Sequence, residues 1–135
     1  MNKQWKQYLY IAAVLCVSAS CMFQDRTTVV FGTVKDDVGK PIKGVDIEFY
    51  GEKGILGSRQ TLLRTISTDI KGEYTITIEM PKEFHSGDII WRLDATAQGL
   101  YTLDSRLFFN GNETKDCCGV SVGEKNQYDR IYFKK

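Results

Sequence analysis

Histidine is nearly absent from this chain: His85 is the one copy in 135 residues. Any Ser-His-Asp or Cys-His nucleophile would have to pass through that side chain. Proline is scarce too, with Pro41 and Pro81 alone. Excess charge of either sign is missing: 18 basic side chains face 17 acidic ones, a formal +1. Without a strong field, the chain has no means to attract nucleic acid or to steer a charged substrate. No G-x-x-x-x-G-K-[ST] phosphate loop occurs, and Gly51-Glu52-Lys53-Gly54 lacks its logic. Long apolar runs are missing, with one exception. Tyr8 to Val17 is a run of ten residues, too short to span a bilayer as a permanent helix.

That run is framed in an informative way. Lys3 and Lys6 precede it as a basic head, and the small residues Ser18, Ala19 and Ser20 follow it. This is the layout of a secretory signal peptide. Cys21 comes directly after the small residues, so the segment resembles a bacterial lipoprotein signal. The resemblance implies that Cys21 is diacylated and becomes the new N-terminus. Cys16 is a poor rival, because Leu15 before it is bulky. Ser18 departs from the motif, which prefers leucine there. Plain cleaved secretion and a retained anchor are the alternatives. The expected organisation is a signal over residues 1–20, a tether over 21–27 and one domain over 28–135. Cleavage would leave 115 residues and one net negative charge. A chain of that length suits a single core.

From Thr28 onward the dominant period is two. Val45, Ile47 and Phe49 alternate with Asp46, Glu48 and Tyr50, and Tyr74, Ile76, Ile78 and Met80 with Glu73, Thr75, Thr77 and Glu79. The same pattern runs from Ile89 through Trp91, Leu93 and Ala95 to Ala97, and from Tyr101 to Phe109. Strands with one buried face read this way. They are expected near 28–35, 44–50, 61–68, 73–80, 88–97, 101–109 and 128–134, with no helix. Val34, Val45, Ile47, Phe49, Ile76, Ile78, Trp91 and Leu93 are the expected core. Asp69-Ile70-Lys71-Gly72 fits a type I turn, with Asp first and Gly fourth. Gly111 to Gln127 is the longest polar, unpatterned stretch. The reading is all-β: a seven-stranded Greek-key β-sandwich.

The stretch Phe31-Gly32-Thr33-Val34-Lys35-Asp36-Asp37-Val38-Gly39-Lys40-Pro41-Ile42-Lys43-Gly44-Val45-Asp46-Ile47 resembles the opening of carboxypeptidase-regulatory-like domains. Thr68, Asp69, Gly72 and Tyr74 meet a second signature of that family, T-D-x-x-G-x-[YF]. Ala97-Gln98-Gly99-Leu100-Tyr101 loosely meets a third, A-x-G-Y, with Leu100 extra. The likeness covers about residues 28 to 105. It implies a transthyretin-like, Ig-like sandwich, common in exported proteins of Bacteroides-type bacteria. It also implies a non-catalytic accessory, adhesion or assembly role. The positions it matches are scaffold positions, so it transfers no catalytic residue.

Few residues carry candidate chemistry. Glu83, His85 and Asp88 could gather around a metal, although a solvated loop is the plainer reading. Asp36, Asp37 and Asp69 could meet at one end of the sandwich and hold calcium, although carboxylates in turns usually face water. Some pilin-type relatives close a Lys–Asn isopeptide bond. Lys35 sits on a plausible first strand, but Tyr128 to Lys134 offers no asparagine. Tyr50, Trp91, Tyr101, Tyr128 and Tyr132 could in part form a sugar platform, but aromatics on strands more often fill a core.

Cys117 and Cys118 are the most specific oddity. Across a trans peptide their Cα atoms would sit about 3.8 Å apart, whereas ordinary disulfides want about 4.4 to 6.8 Å. A bridge between neighbours is strained and redox-labile. A dithiolate could instead hold a soft metal, or the two could stay reduced. The pair is expected in an exposed loop. The resulting expectation is a lipid-anchored envelope protein at the outer membrane, without cofactor and not an enzyme. Its partners would be the membrane through the lipid, and an envelope protein or glycan. The alternatives are a carbohydrate- or peptide-binding accessory module and a redox or metal protein built on Cys117 and Cys118.

Overall fold

The computed structural model describes Lys3, Gln4, Lys6 and residues 24–135. Cys21 lies outside the described residues, and so does the whole apolar run from Tyr8 to Val17. The rest is an all-β sandwich of two sheets. The chain runs β1 (Thr27–Asp36), β2 (Asp46–Lys53), β3 (Arg59–Ser67), β4 (Glu73–Glu79), β5 (Ser86–Arg92), α1 (Ala95–Leu100), β6 (Tyr101–Phe109), β7 (Asn112–Thr114), β8 (Gly119–Val120) and β9 (Lys125–Lys134). One sheet has the order β4-β1-β9-β6-β7 and the other β3-β2-β5-β8. β1 and β9 pair in parallel; the other pairings are antiparallel.

Alternation builds the core. In β1, Thr28, Val30, Val34 and Asp36 point inward; in β2, Ile47 and Phe49 do. Tyr74 and Ile76 of β4, Ile89 and Trp91 of β5, Leu107 of β6 and Tyr128 and Tyr132 of β9 complete it. Burying a Phe, Ile or Val side chain contributes about 1.5 to 3 kcal/mol, so this shared interior is what holds the two sheets face to face. Some polar atoms inside tie the strands together. The Tyr74 hydroxyl donates to Tyr128 O at 2.7 Å, tying β4 to the inner face of β9. Gly32 sits where a Cβ would lie 1.8 Å from Tyr128 O, so β1 and β9 approach closely only because that side chain is missing.

Several expectations need correction. There are nine strands rather than seven. β7 and β8 arise within the stretch read as a loop, and at three and two residues they are too short to leave a period. The strand expected over 88–97 stops at Arg92. Asp94 then accepts a hydrogen bond from Ala97 N at 2.7 Å and caps α1, so Ala95 and Ala97 lie on a helix rather than a strand face. Ile78 is half-buried, while the other seven expected core residues are buried. Leu103 is 87% exposed, so alternation along β6 brings in Leu107 alone as a fully buried residue.

The sandwich has two distinct ends. β1 starts, β4 ends, β5 starts and β9 starts at one of them, as the pairs Thr27↔Glu79 and Val29↔Lys125 fix. The β2–β3 hairpin tip is at this end, because Glu52 pairs with Ser86. The opposite end carries the Asp36–Pro41 and Thr68–Gly72 turns, α1 and the end of β9.

Candidate functional site

The stretch around Cys117 forms one wall of a cleft with a volume of about 490 Å³. β8 pairs with β5 through Gly87↔Val120 and Asp88↔Gly119, and Ile89 N donates to Cys118 O at 3.3 Å. These bonds hold residues 117–120 beside the start of β5. Phe109 and Tyr128 supply an aromatic wall, their rings 4.7 Å apart. Tyr128 is itself fixed, its hydroxyl donating to Gly119 O at 2.6 Å. Glu52, Asp116, Ser86, Thr114 and Ser121 add carboxylates and hydroxyls around the rim.

The electrostatics of this cleft follow from burial. Asp88 is partly desolvated, which raises its pKa above the ordinary carboxylate value, and the Glu52 charge adds to that. Hydrogen bonds from Ile89 N and Cys118 N oppose the rise. Burial also raises Tyr128, and Asp88 raises it further. The lining carries two carboxylates, Glu52 and Asp116, and no basic side chain, so the cleft suits a polar ligand that is uncharged or basic.

Cys117 and Cys118 place their sulfurs against each other across a cis peptide. The exposed-loop expectation holds for Cys117 but not for Cys118, which is 2% exposed and packs in the core. The Arg130 guanidinium stands 3.7 Å from Cys117 Sγ and stacks 4.2 Å over the Trp91 ring. Trp91 Nε1 and Arg130 Nε are both buried without a hydrogen-bond partner. The Arg130 cation on the Trp91 ring face is a favourable contact beside them, not a hydrogen-bond partner for either N–H.

The other candidates are dispersed. His85 does not meet Glu83 or Asp88. Its Nε2–H donates to Gly54 O at 3.1 Å, and its Nδ1 lies 3.1 Å from Ser86 Oγ. Ser86 directs its proton to Glu52 Oε2 at 2.9 Å, so the hydroxyl serves a carboxylate in the β2–β5 frame. Glu83 pairs with Lys53 at 3.3 Å. Asp36, Asp37 and Asp69 share one end but not one ligand. Asp36 Oδ1 accepts from Val38 N at 3.0 Å and Lys40 N at 2.8 Å, while Asp69 Oδ1 accepts from Lys71 N at 2.8 Å and Glu73 N at 3.0 Å. These are turn contacts, and among the described residues no three potential ligands cluster for a metal.

Lys35 is exposed, and β9 starts earlier than expected, so it does contain an asparagine. Asn126 is buried, and its amide ties the β8–β9 turn to β1: Oδ1 accepts from Ser121 N at 3.0 Å, and Nδ2 donates to Ser121 O and Glu124 O at 3.2 Å and to Val29 O at 3.3 Å. Of the expected aromatic platform only Tyr128 lines this cleft, where it stands beside Phe109. Trp91 and Tyr132 are core residues, and the Tyr50 hydroxyl donates to Glu48 Oε2 at 2.6 Å. Phe109 is the cleft residue that sequence reasoning missed. It was read as one more inward position of β6, and its place beside Tyr128 follows from the Phe109↔Tyr128 pairing.

No family model and no curated protein matches the chain. Among solved structures, a Streptococcal ancillary pilin aligns at 15% identity and TM-score 0.48, over 83% of this chain and 34% of that one. A pilus-presented adhesin aligns at 12% and 0.34, over 82% of this chain and 28% of that one. A 9R-lipoxygenase from Cyanothece aligns at 11% and 0.38, over 80% and 16%. The chain spans well under two thirds of each. Likenesses at this level say nothing of activity or partner.

Proposed function

We propose that this is a lipid-anchored envelope protein whose β-sandwich binds a partner or supports an assembly without catalysing a reaction. The Cys21 signal layout supports the anchor and the outer-membrane location. The Gly32–Ile47 and Thr68–Tyr74 signatures support a carboxypeptidase-regulatory-like sandwich of transthyretin-like form, in which this role is usual. The observation that carries the binding role is the cleft. An aromatic wall faces hydroxyls and carboxylates on a rigid strand frame, which are the surfaces that a glycan or an extended peptide needs.

The test is binding of envelope glycans and of peptides to the full chain, with Phe109→Ala and Asp116→Ala as probes. Both variants should weaken the same ligand by about tenfold. Asp116→Ala, at an exposed position, should leave the melting midpoint nearly unchanged. Phe109→Ala also loses packing against Tyr128 and is compared at a temperature where it stays folded. Retention of full affinity in both would remove the cleft from the reading. A second reading, a redox or metal protein, has one observation in its favour: two sulfurs in contact with Cys117 exposed beside the Arg130 cation. Titration of thiols before and after mild reduction separates it. A pair that never takes up a thiol reagent under either condition would rule the redox reading out.

A further inference from the structure

The tip of the β2–β3 hairpin is the most exposed apolar feature described. Ile55 is 84% exposed and Leu56 100%. Nothing in the fold asks for leucine there. Leu56 holds φ at 56°, in the left-handed region, between Gly54 at 87° and Gly57 at 67°. Turn geometry alone favours glycine or asparagine at such a position, and a fully exposed leucine gains no packing in return.

The position of the tip suggests what it meets. Arg26 is the last residue before β1, and its Nη2 donates to Pro81 O at 3.0 Å and also to Phe84 O. Next to Phe84, His85 N donates to Glu52 O at 3.1 Å, and the Phe84 ring lies over Gly51. Two short links therefore join the point where the tether meets the domain to the base of the hairpin. Beyond the Glu52↔Ser86 pair, β2 and β3 continue through Lys53↔Arg59 without β5 beside them. The Pro81–His85 segment keeps beside the hairpin as far as Gly54, where His85 Nε2 donates to Gly54 O. Ile55 and Leu56 therefore stand beyond it by roughly 3 to 7 Å, at about 3.3 Å per residue. Cys21 is six residues before Thr27 in the sequence, and six residues reach at most about 20 Å.

We propose that Ile55 and Leu56 enter the surface of the bilayer that holds the Cys21 lipid, as a second membrane contact that orients the domain. This rests on the anchored reading above. An apolar wedge of this kind sits about 5 to 10 Å into the headgroup and acyl boundary. The rim is mixed in charge. Lys53 is paired with Glu83, Arg59 and Lys82 offer cations to anionic headgroups, and Asp25, Glu79 and Glu124 are exposed carboxylates at the same end. The contact therefore rests on the apolar tip and not on a net field. Two side chains alone hold a membrane weakly. The lipid supplies the missing affinity, because a tether of a few residues converts the second contact into an intramolecular one. The domain would then stand with its Asp36–Pro41 end away from the membrane and its cleft near the membrane.

The experiment uses the full acylated chain in vesicles of phosphatidylethanolamine and phosphatidylglycerol with brominated acyl chains. Leu56→Trp and Val38→Trp place a fluorophore at opposite ends, both at exposed positions. Flotation and an acyl label report the anchor; quenching reports the tip. The expected result is at least about twofold quenching of the added emission at 56 and none at 38. Flotation with no quenching at 56, or with equal quenching at both positions, overturns the tip contact and leaves the anchor standing; the tip would then be free for a protein partner. A chain that neither carries the label nor floats overturns both. Flotation and quenching at 56 without an acyl label would keep the tip and discard the Cys21 anchor.

Discussion

The two ends of this sandwich both leave large apolar side chains in solvent, but they dispose them differently. The far end scatters Val38, Ile70, Leu100 and Leu103 over separate turns and the start of β6, while the tether end sets Ile55 and Leu56 side by side on one tip. At the far end the charged groups are consumed by the fold. Asp36 caps its own turn and faces Lys134 Nζ at 3.4 Å, an ion pair without a hydrogen bond, and Asp69 caps the Gly72 turn. At the tether end an arginine is consumed in the same way, and the exposed apolar side chains Ile55 and Leu56 are adjacent on a single protruding tip. Changes at the far end should therefore be read in stability. Changes at the tether end should be read in what the protein touches.

The largest expected loss is Trp91→Ala. Its ring meets the Tyr128 ring edge-on at 6.0 Å and carries the Arg130 guanidinium on its face. Truncation of a buried aromatic costs about 3 to 5 kcal/mol, measured by urea unfolding. A loss under about 1 kcal/mol would mean that Arg130 and Leu93 close over the gap, and would make the far end more plastic than its packing implies.

Asp36→Ala comes next, at about 2 kcal/mol, since hydrogen bonds to a charged group contribute about 1.5 to 3. Burial raises the pKa of this carboxyl. The Lys40 and Val38 amides and the Lys134 ammonium together outweigh that and leave it below the ordinary value. A lowered folded pKa means that the stabilisation is present above the unfolded value of about 3.9 and is lost as pH falls through the folded one. Wild type should lose stability below about pH 4 more steeply than Asp36→Asn. Parallel acid limbs in the two proteins would show that Asp36 is not the group responsible.

Much of the far end was legible in the sequence, and little of the tether end was. Asp69 and Gly72 announce a turn locally, and β1, β2 and β4 alternate cleanly because one face is wet. The Asp94 cap was legible too, but the Ala95–Ala97 alternation competed with it. β7 and β8 had no signal, because their pairing depends on partners far along the chain. The exposure of Ile55 and Leu56 reads as nothing in sequence. Their meaning comes from the register that sets Glu52 opposite Ser86, and from Arg26 reaching across to Phe84.

Cys117 and Cys118 test the boundary between the two ends. Either substitution by serine removes the sulfur contact, so the difference between the two isolates burial. Cys118→Ser puts a hydroxyl among core side chains and should cost about 1 to 2 kcal/mol more than Cys117→Ser. In a domain of this size that is roughly 4 to 8 °C in melting midpoint. Equal midpoints would mean that the segment lifts off the core when the contact is lost, and that the pair, rather than β8, holds the cleft wall in place.

The smallest effect on stability is expected where the effect on contact is largest. Leu56→Gly removes a side chain from a backbone position with φ at 56°. Relief of left-handed strain favours the variant by about 1 kcal/mol, and the extra freedom of an unfolded glycine opposes it by about 0.4 to 1. The two nearly cancel, and no packing is lost because the side chain touches only solvent. The melting midpoint should move by less than about 3 °C. Against vesicles the same variant should behave differently. Amide hydrogen exchange at Lys53 to Arg59 should slow when the wild-type chain is reconstituted, and should stay fast in Leu56→Gly. A tip that exchanges at the same rate with and without vesicles in wild type would make this end a turn like any other, and the contrast between the two ends would be one of arrangement only.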